Sequence, residues 1–243
     1  MQTYKAPLRD MRFVLHELYG SAELSESLGF EEATPELIDT VLEEAAKFSE
    51  GVLFPLNASG DLEGCAYENG VVRTPKGFRE AYAQFRDGGW TSISSDPKYG
   101  GQGLPESVAK PVEEMSCAAN MSFGLYPGLT HGAYVALEAY GSEALKETYL
   151  PKMVDGTWSG TMCLTEAHCG TDLGLLRTRA EPREDGGYVL NGSKIFISAG
   201  EHDLTENIIH LVLARMPGAP KGIKGISLFL VPKYLPTETG GVG

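Results

Sequence analysis

The chain has no apolar run approaching the roughly 20 residues that a membrane-spanning helix needs. Its start, MQTYKAPLRDMRFVLHELYG, also lacks the apolar stretch of a secretory signal. Cytoplasmic residence without a membrane span is therefore the expectation. Cysteine is scarce: Cys65, Cys117, Cys163 and Cys169 include no C-x-x-C pair, so neither a disulfide framework nor a zinc ribbon is signalled. The four read as reduced thiols. Basic residues are outnumbered, 20 Lys and Arg against 33 Asp and Glu, for a net charge of -13. Bulk electrostatics thus argue against a phosphate backbone, and no nucleic acid partner is expected. There is no Rossmann fingerprint, internal repeat or low-complexity tract.

What is present changes character near residue 156. Before it, apolar residues recur at helical spacing; after it, they alternate or run in short blocks. In ATPELIDTVLEEAAKF, Leu37, Ile38, Val41, Leu42, Ala45 and Phe48 make one stripe, with Thr34 placed to cap and Pro35 at the first helical position. Further helices are predicted over 9–19, 76–87, 105–119, 128–140 and 143–154, with Gly141 ending one and Ser142 capping the next. From Trp158 the text reads as strands, among them TWSGTMCLTE, GYVLNGSKIFIS, NIIHLVLARM and KGISLFLVPK. Asn191-Gly192 gives the signal of a type I′ hairpin. The expectation is an α+β protein: an N-terminal helical bundle over 1–157, then an antiparallel β-domain, a partial barrel, over 158–243.

The densest chemistry lies in MCLTEAHCGTDLG, residues 162–174. A metal needs converging ligands, whereas the neighbours His168 and Cys169 are expected to diverge, so no metal is assigned. A Cys-His nucleophile meets the same objection. The plain alternative is a strand followed by a loop, with Gly170 and Gly174 serving the turn and Asp172 bonding its own backbone. A second stretch, SKIFIS, bears on the choice. Read as a strand, it puts Phe196 and Ser198 on one face. Met162 and Leu164 likewise share a face, and Thr165 arrives at the strand end. Apolar contact with hydroxyls at the rim fits a planar heteroaromatic ring.

These two segments resemble the middle region of acyl-CoA dehydrogenases, in which a Cys/Met-x-x-Thr-Glu…Gly-Ser/Thr-Asp segment is followed by Gly-x-Lys-x-Trp-Ile-Ser/Thr. Both occur here in order. KAPLRDMRFVLHELYG and YGGQGLP are similar to the longer subgroup that includes 3-methylmercaptopropionyl-CoA dehydrogenases. Phe196 stands where many members carry Trp, and His168-Cys169 where Pro and small residues are common. The resemblance implies FAD as cofactor, contacted by Met162, Leu164, Thr165, Gly170, Thr171, Phe196, Ile197 and Ser198. It implies an acyl-CoA substrate bordered by Thr171. The reaction would be α,β-dehydrogenation: proton abstraction at Cα, and hydride transfer from Cβ to flavin N5.

An apolar stretch around Pro127, with Phe123, Tyr126 and Leu129, is a candidate lining for the acyl chain, weighed against plain core packing. His131 reads as a helix residue with a satisfied ring, Lys194 as a solvated strand residue, and Glu166 as a structural part of its loop. The resemblance further implies an electron-transfer flavoprotein as acceptor, homo-oligomerisation at full length, and a Glu base on a C-terminal helical domain. No such domain follows VPKYLPTETGGVG, so no catalytic residue is named. The chain is expected to be a truncated piece, inactive by itself; the other expectation is a noncatalytic remnant serving as a binding or interaction module.

Overall fold

A computed structural model describes residues 3–237 and 240–243. α1 (Leu8–Arg12) runs on into a π-helical turn, Phe13–Leu18. α2 (Ser21–Ser27) precedes α3 (Pro35–Phe48), which begins as expected: the Thr34 hydroxyl accepts from the Leu37 N–H at 3.3 Å, and Pro35 fills a position where no N–H is needed. α4 (Phe54–Glu63) leads into a small hairpin, β1 (Ala66–Glu68) and β2 (Val71–Arg73). α5 (Phe78–Asp87) is followed by α6 (Glu106–Tyr140) and α7 (Glu143–Val154), the last capped by Ser142.

The two helices predicted over 105–119 and 128–140 are one element interrupted at Asn120, not at Pro127. Asn120 has extended backbone angles (φ -158°, ψ 90°). Its side chain explains why the break lies there: Oδ1 accepts from the Phe123 N–H at 3.1 Å, capping the second half, while Nδ2 donates to the Leu53 carbonyl at 3.2 Å. Two apolar clusters pack around this helix pair, one of Ile38, Leu42, Val108, Val112 and Met115, the other of Leu53, Phe78, Tyr82, Phe85 and Phe123.

The sheet comprises β3 (Trp158–Cys163), β4 (Arg179–Pro182), β5 (Tyr188–Asn191), β6 (Asn207–Arg215) and β7 (Ile226–Pro232). It is mixed, which corrects the antiparallel expectation. β6 runs parallel to β3, with Trp158 opposite Asn207 and Cys163 opposite Val212, and parallel to β4; the β4–β5 and β6–β7 pairs are antiparallel. The 43-residue excursion between Cys163 and Asn207 supplies the crossover that a parallel pair requires.

Two further expectations fail for reasons of backbone geometry. SKIFIS forms no strand, because Phe196 and Ala199 adopt left-handed angles (φ 54° and 52°) that break the pleat and its alternation. Asn191-Gly192 forms no hairpin turn, since Asn191 still pairs with Arg179, and Gly192 serves close approach: a Cβ there would sit 2.4 Å from the Thr178 hydroxyl. The Asn-Gly hairpin lies elsewhere, at Asn69-Gly70 (φ 51° and 83°) between β1 and β2.

Alternation along β3 and β6 gives the sheet two different faces. Trp158, Ile209 and Leu211 pack against Tyr134, Leu137, Leu150 and Met153 of α6 and α7. Gly160 on this side admits the helix closely, because a Cβ would meet that of Ala133 at 2.5 Å. The other face carries Ser159, Thr161 and His210, and segment 198–206 straps across it through polar bonds. At the end of β6, Arg215 donates to the carbonyls of Leu176 (2.8 Å), Gly174 (2.9 Å) and Gly222 (2.7 Å), holding two loops at once.

Candidate functional site

The end of β3 and segment 194–198 lie side by side. The Ile195 N–H donates to the Thr165 carbonyl at 3.0 Å, and the Thr161 hydroxyl donates to the Ser198 carbonyl at 2.7 Å, so the two stretches run antiparallel although only one is a strand. The sequence thus brings its two chosen segments together, by a route other than strand alternation. Phe196 is 88 % exposed despite its size, held out by its left-handed backbone, and Ser198 is also exposed. For a bulky residue that conformation is strained, of order 1–3 kcal/mol. Ile197 is half-buried between them.

Thr165 is half-buried, and Gly170 lies against it: a Cβ on Gly170 would sit 3.5 Å from the Thr165 methyl. Thr171 is exposed one residue further on. Leu164 is half-buried, whereas Met162 packs partly into the helix–sheet core beside Leu211.

Beneath this edge sits a buried ion pair that sequence reading missed. Lys194, expected to be solvated, is 9 % exposed; its ammonium donates to Glu166 and to the Leu164 carbonyl, both at 3.0 Å. Glu166, 4 % exposed, also accepts from the N–H groups of Arg177 (2.8 Å) and Thr178 (2.9 Å) and from the Thr178 hydroxyl (2.5 Å). Burial alone would raise this carboxyl; the donors from Thr178, Arg177 and Lys194 outweigh it and bring the pKa down to about 2. So strong an acid, with its oxygens engaged, is a structural anchor and not a proton acceptor.

The turn closed by the Glu166–Cys169 bridge also gathers Glu166, His168 and Cys169, whose ligand atoms lie within 4.8 Å of one another. Neighbouring side chains therefore do converge here. A cation is still opposed, since Lys194 occupies the carboxylate and the His168 Nε2 faces the Leu175 carbonyl at 3.0 Å. Burial pushes the Cys163 thiol up to about 11, which suits an inert thiol.

The proposed acyl-lining residues separate. Phe123 is fully buried among Phe78, Tyr82 and Phe85, its ring 5.7 Å from that of Phe85. Tyr126 packs edge-on against His202 at 5.0 Å, next to the strap. Around Pro127 lies a cavity of about 70 Å³ lined by Phe85, Trp90, Ile93, Val112, Gly124 and Pro127. His131, at its rim, faces Glu106 at 3.1 Å. His202 was not singled out by sequence; burial, opposed by Glu201 and Asp203, lowers its pKa to about 4, and its Nε2 faces the Ser159 hydroxyl at 3.0 Å. A polar stripe of Ser159 and Thr161 on an otherwise apolar strand was the signal available for it.

Among the described residues, no helix is long and apolar enough to cross a membrane. The family model "acyl-CoA dehydrogenase, N-terminal domain" matches residues 39–157, and "acyl-CoA dehydrogenase, middle domain" matches residues 161–242. The chain is 47% identical over 238 residues to a 3-methylmercaptopropionyl-CoA dehydrogenase of Ruegeria pomeroyi, covering 98% of this chain and 40% of that protein. It is 36% identical over 247 residues to a butyryl-CoA dehydrogenase of Syntrophomonas wolfei, covering 100% and 40%. The solved butyryl-CoA dehydrogenase of Megasphaera elsdenii superposes with a TM-score of 0.67 at 28% identity, over 81% of this chain and 48% of that one. The chain thus spans about 40% of the length of the curated relatives it matches.

Proposed function

The chain belongs to the acyl-CoA dehydrogenase family, and we propose that its role is FAD-dependent α,β-dehydrogenation of an acyl-CoA thioester, for which it supplies the flavin-facing wall. The observation that carries this reading is Phe196: a large aromatic ring held in solvent by a strained backbone, beside the hydroxyl-bearing Thr165 and Ser198. Strain of this kind persists where a ligand uses the geometry. The fit to a flavin is chemical: an aromatic face, apolar flanks from Leu164 and Ile197, and hydroxyls to bond a polar rim.

When bound, FAD would supply a hydride acceptor for the hydrogen leaving Cβ. The chain's own residues would then act as follows. Phe196 and Ile197 stack on the ring system, with Met162 and Leu164 as further apolar contacts. Thr165 bonds its pyrimidine portion, Ser198 bonds near N5, and Gly170 and Thr171 border cofactor and thioester, Thr171 meeting the pantetheine arm. Tyr126 would border the acyl group, and Phe123, buried in the cluster on which Tyr126 packs, would back that wall. Glu166 keeps the loop in place, and the carboxylate base is assigned to none of the described residues. An electron-transfer flavoprotein as electron acceptor, and a homo-oligomeric assembly, belong to the same proposal.

The test is a full-length preparation of the protein. Flavin absorption that bleaches when an acyl-CoA is added supports the reading. A folded, colourless preparation that takes up no FAD would refute it and favour a noncatalytic interaction module.

A further inference from the structure

On the face of β6 turned toward segment 198–206, His210 has both ring nitrogens against main-chain carbonyls. Nε2 lies 2.9 Å from the Gly200 oxygen and Nδ1 lies 3.1 Å from the Val231 oxygen. A neutral imidazole has one N–H and one lone pair, so it satisfies only one of these acceptors; the imidazolium satisfies both. Across the strand pair, His210 stands opposite Thr161, whose hydroxyl holds the Ser198 carbonyl at 2.7 Å. Two cross-strand neighbours therefore grip the two ends of one three-residue turn.

That turn needs gripping. It contains Ala199 at φ 52° and follows Phe196 at φ 54°, and its own closure is a single 3.2 Å bond from the Gly200 N–H to the Ile197 carbonyl. Glu201, which follows the turn, pairs with Lys233 just past β7 at 2.6 Å, and His202 on the strap lies within electrostatic reach of His210. β3 presents Ser159, Thr161 and Cys163 on this face, and β7 presents Val231 in register with His210.

We infer that His210 is a positioning residue which, with Thr161, fixes the turn Ser198–Gly200 and so holds in place the wall that bears Phe196. Loss of either grip frees one end of the turn and loosens that wall. The consequence for flavin rests on the function proposed above; the hold on the turn does not.

The experiment uses the whole chain and follows hydrogen exchange of the peptide spanning 196–200, normalised for intrinsic rate. His210→Ala and Thr161→Val should each speed this exchange on the order of tenfold, as expected for one lost hydrogen bond, while exchange along β6 and β7 stays as in the wild-type chain. His210→Gln, which keeps one donor, should recover most of the wild-type rate. Turn exchange unaltered in both His210→Ala and Thr161→Val, or altered no more than that of β6 and β7, overturns the inference. An FAD titration separates the two readings: turn exchange that responds as described with no FAD uptake refutes the flavin assignment and leaves this inference intact.

Discussion

Replacing Glu166 with Gln removes one negative charge and swaps an acceptor oxygen for a donor, in a place where every neighbour is already a donor. The partners are the Arg177 and Thr178 N–H groups, the Thr178 hydroxyl and the Lys194 ammonium. Lys194, 9 % exposed, is then left as a buried cation without its carboxylate. Removing one partner of such a pair costs about 3–5 kcal/mol.

The lowered pKa of the carboxyl, caused by the same donors, leads to a similar magnitude. Displacement from an ordinary 4.5 to about 2 corresponds to about 3 kcal/mol of native-state stabilisation. Because the folded pKa is depressed, this contribution is fully present above pH 4.5 and is lost as pH falls toward 2. Urea denaturation at pH 7 should therefore find E166Q less stable by about 3–5 kcal/mol. K194M should cost less, since Glu166 keeps three other donors, and the double variant should fall short of the sum of the two losses. Below about pH 4.5 the gap between wild type and E166Q should narrow. A loss under about 0.5 kcal/mol for E166Q, or strict additivity with K194M, would show that the pair is not the anchor described.

Phe196→Gly should raise the stability of the flavin-free chain by about 1 kcal/mol in thermal unfolding, because glycine accepts the left-handed angle without strain, while weakening FAD binding; lowered stability would contradict the strain assigned to this residue. Thr165→Val and Ser198→Ala should each reduce FAD affinity about tenfold, as expected for one hydrogen bond each, read by flavin fluorescence; unchanged affinity in both would remove the hydroxyl rim from the site. Asn120→Ala should destabilise by about 2 kcal/mol in denaturant titration, since it deletes a helix cap and the bond to the Leu53 carbonyl together. A neutral result would move the helix break's cause to Pro127.

The sequence was legible where one local rule decided the outcome. Thr34 and Ser142 cap the helices they precede, and the apolar stripe of α3 is the one buried. It misled where a tertiary contact outweighed the local rule. Asn191-Gly192 looks like a turn, yet the glycine there accommodates Thr178; SKIFIS looks like a strand, yet Phe196 turns the backbone outward. Of the candidate site, the two segments that meet were identifiable because their residue types are distinctive. Lys194 was not, because its burial depends on Glu166, 28 positions away, and no periodicity records such a pairing. His210 was hidden in an apolar strand for the same reason: its partners are carbonyl oxygens, which every residue possesses.

Arg215 ties the loop at 174–176 and the loop at 220–222 to the end of one central strand through main-chain oxygens alone. Such a knot is indifferent to the side chains of the loops it secures, so substitutions along them are tolerated as long as the peptide path is kept. Loss of the single guanidinium, by contrast, would set both loops adrift in one event, making this corner a joint that fails as a unit.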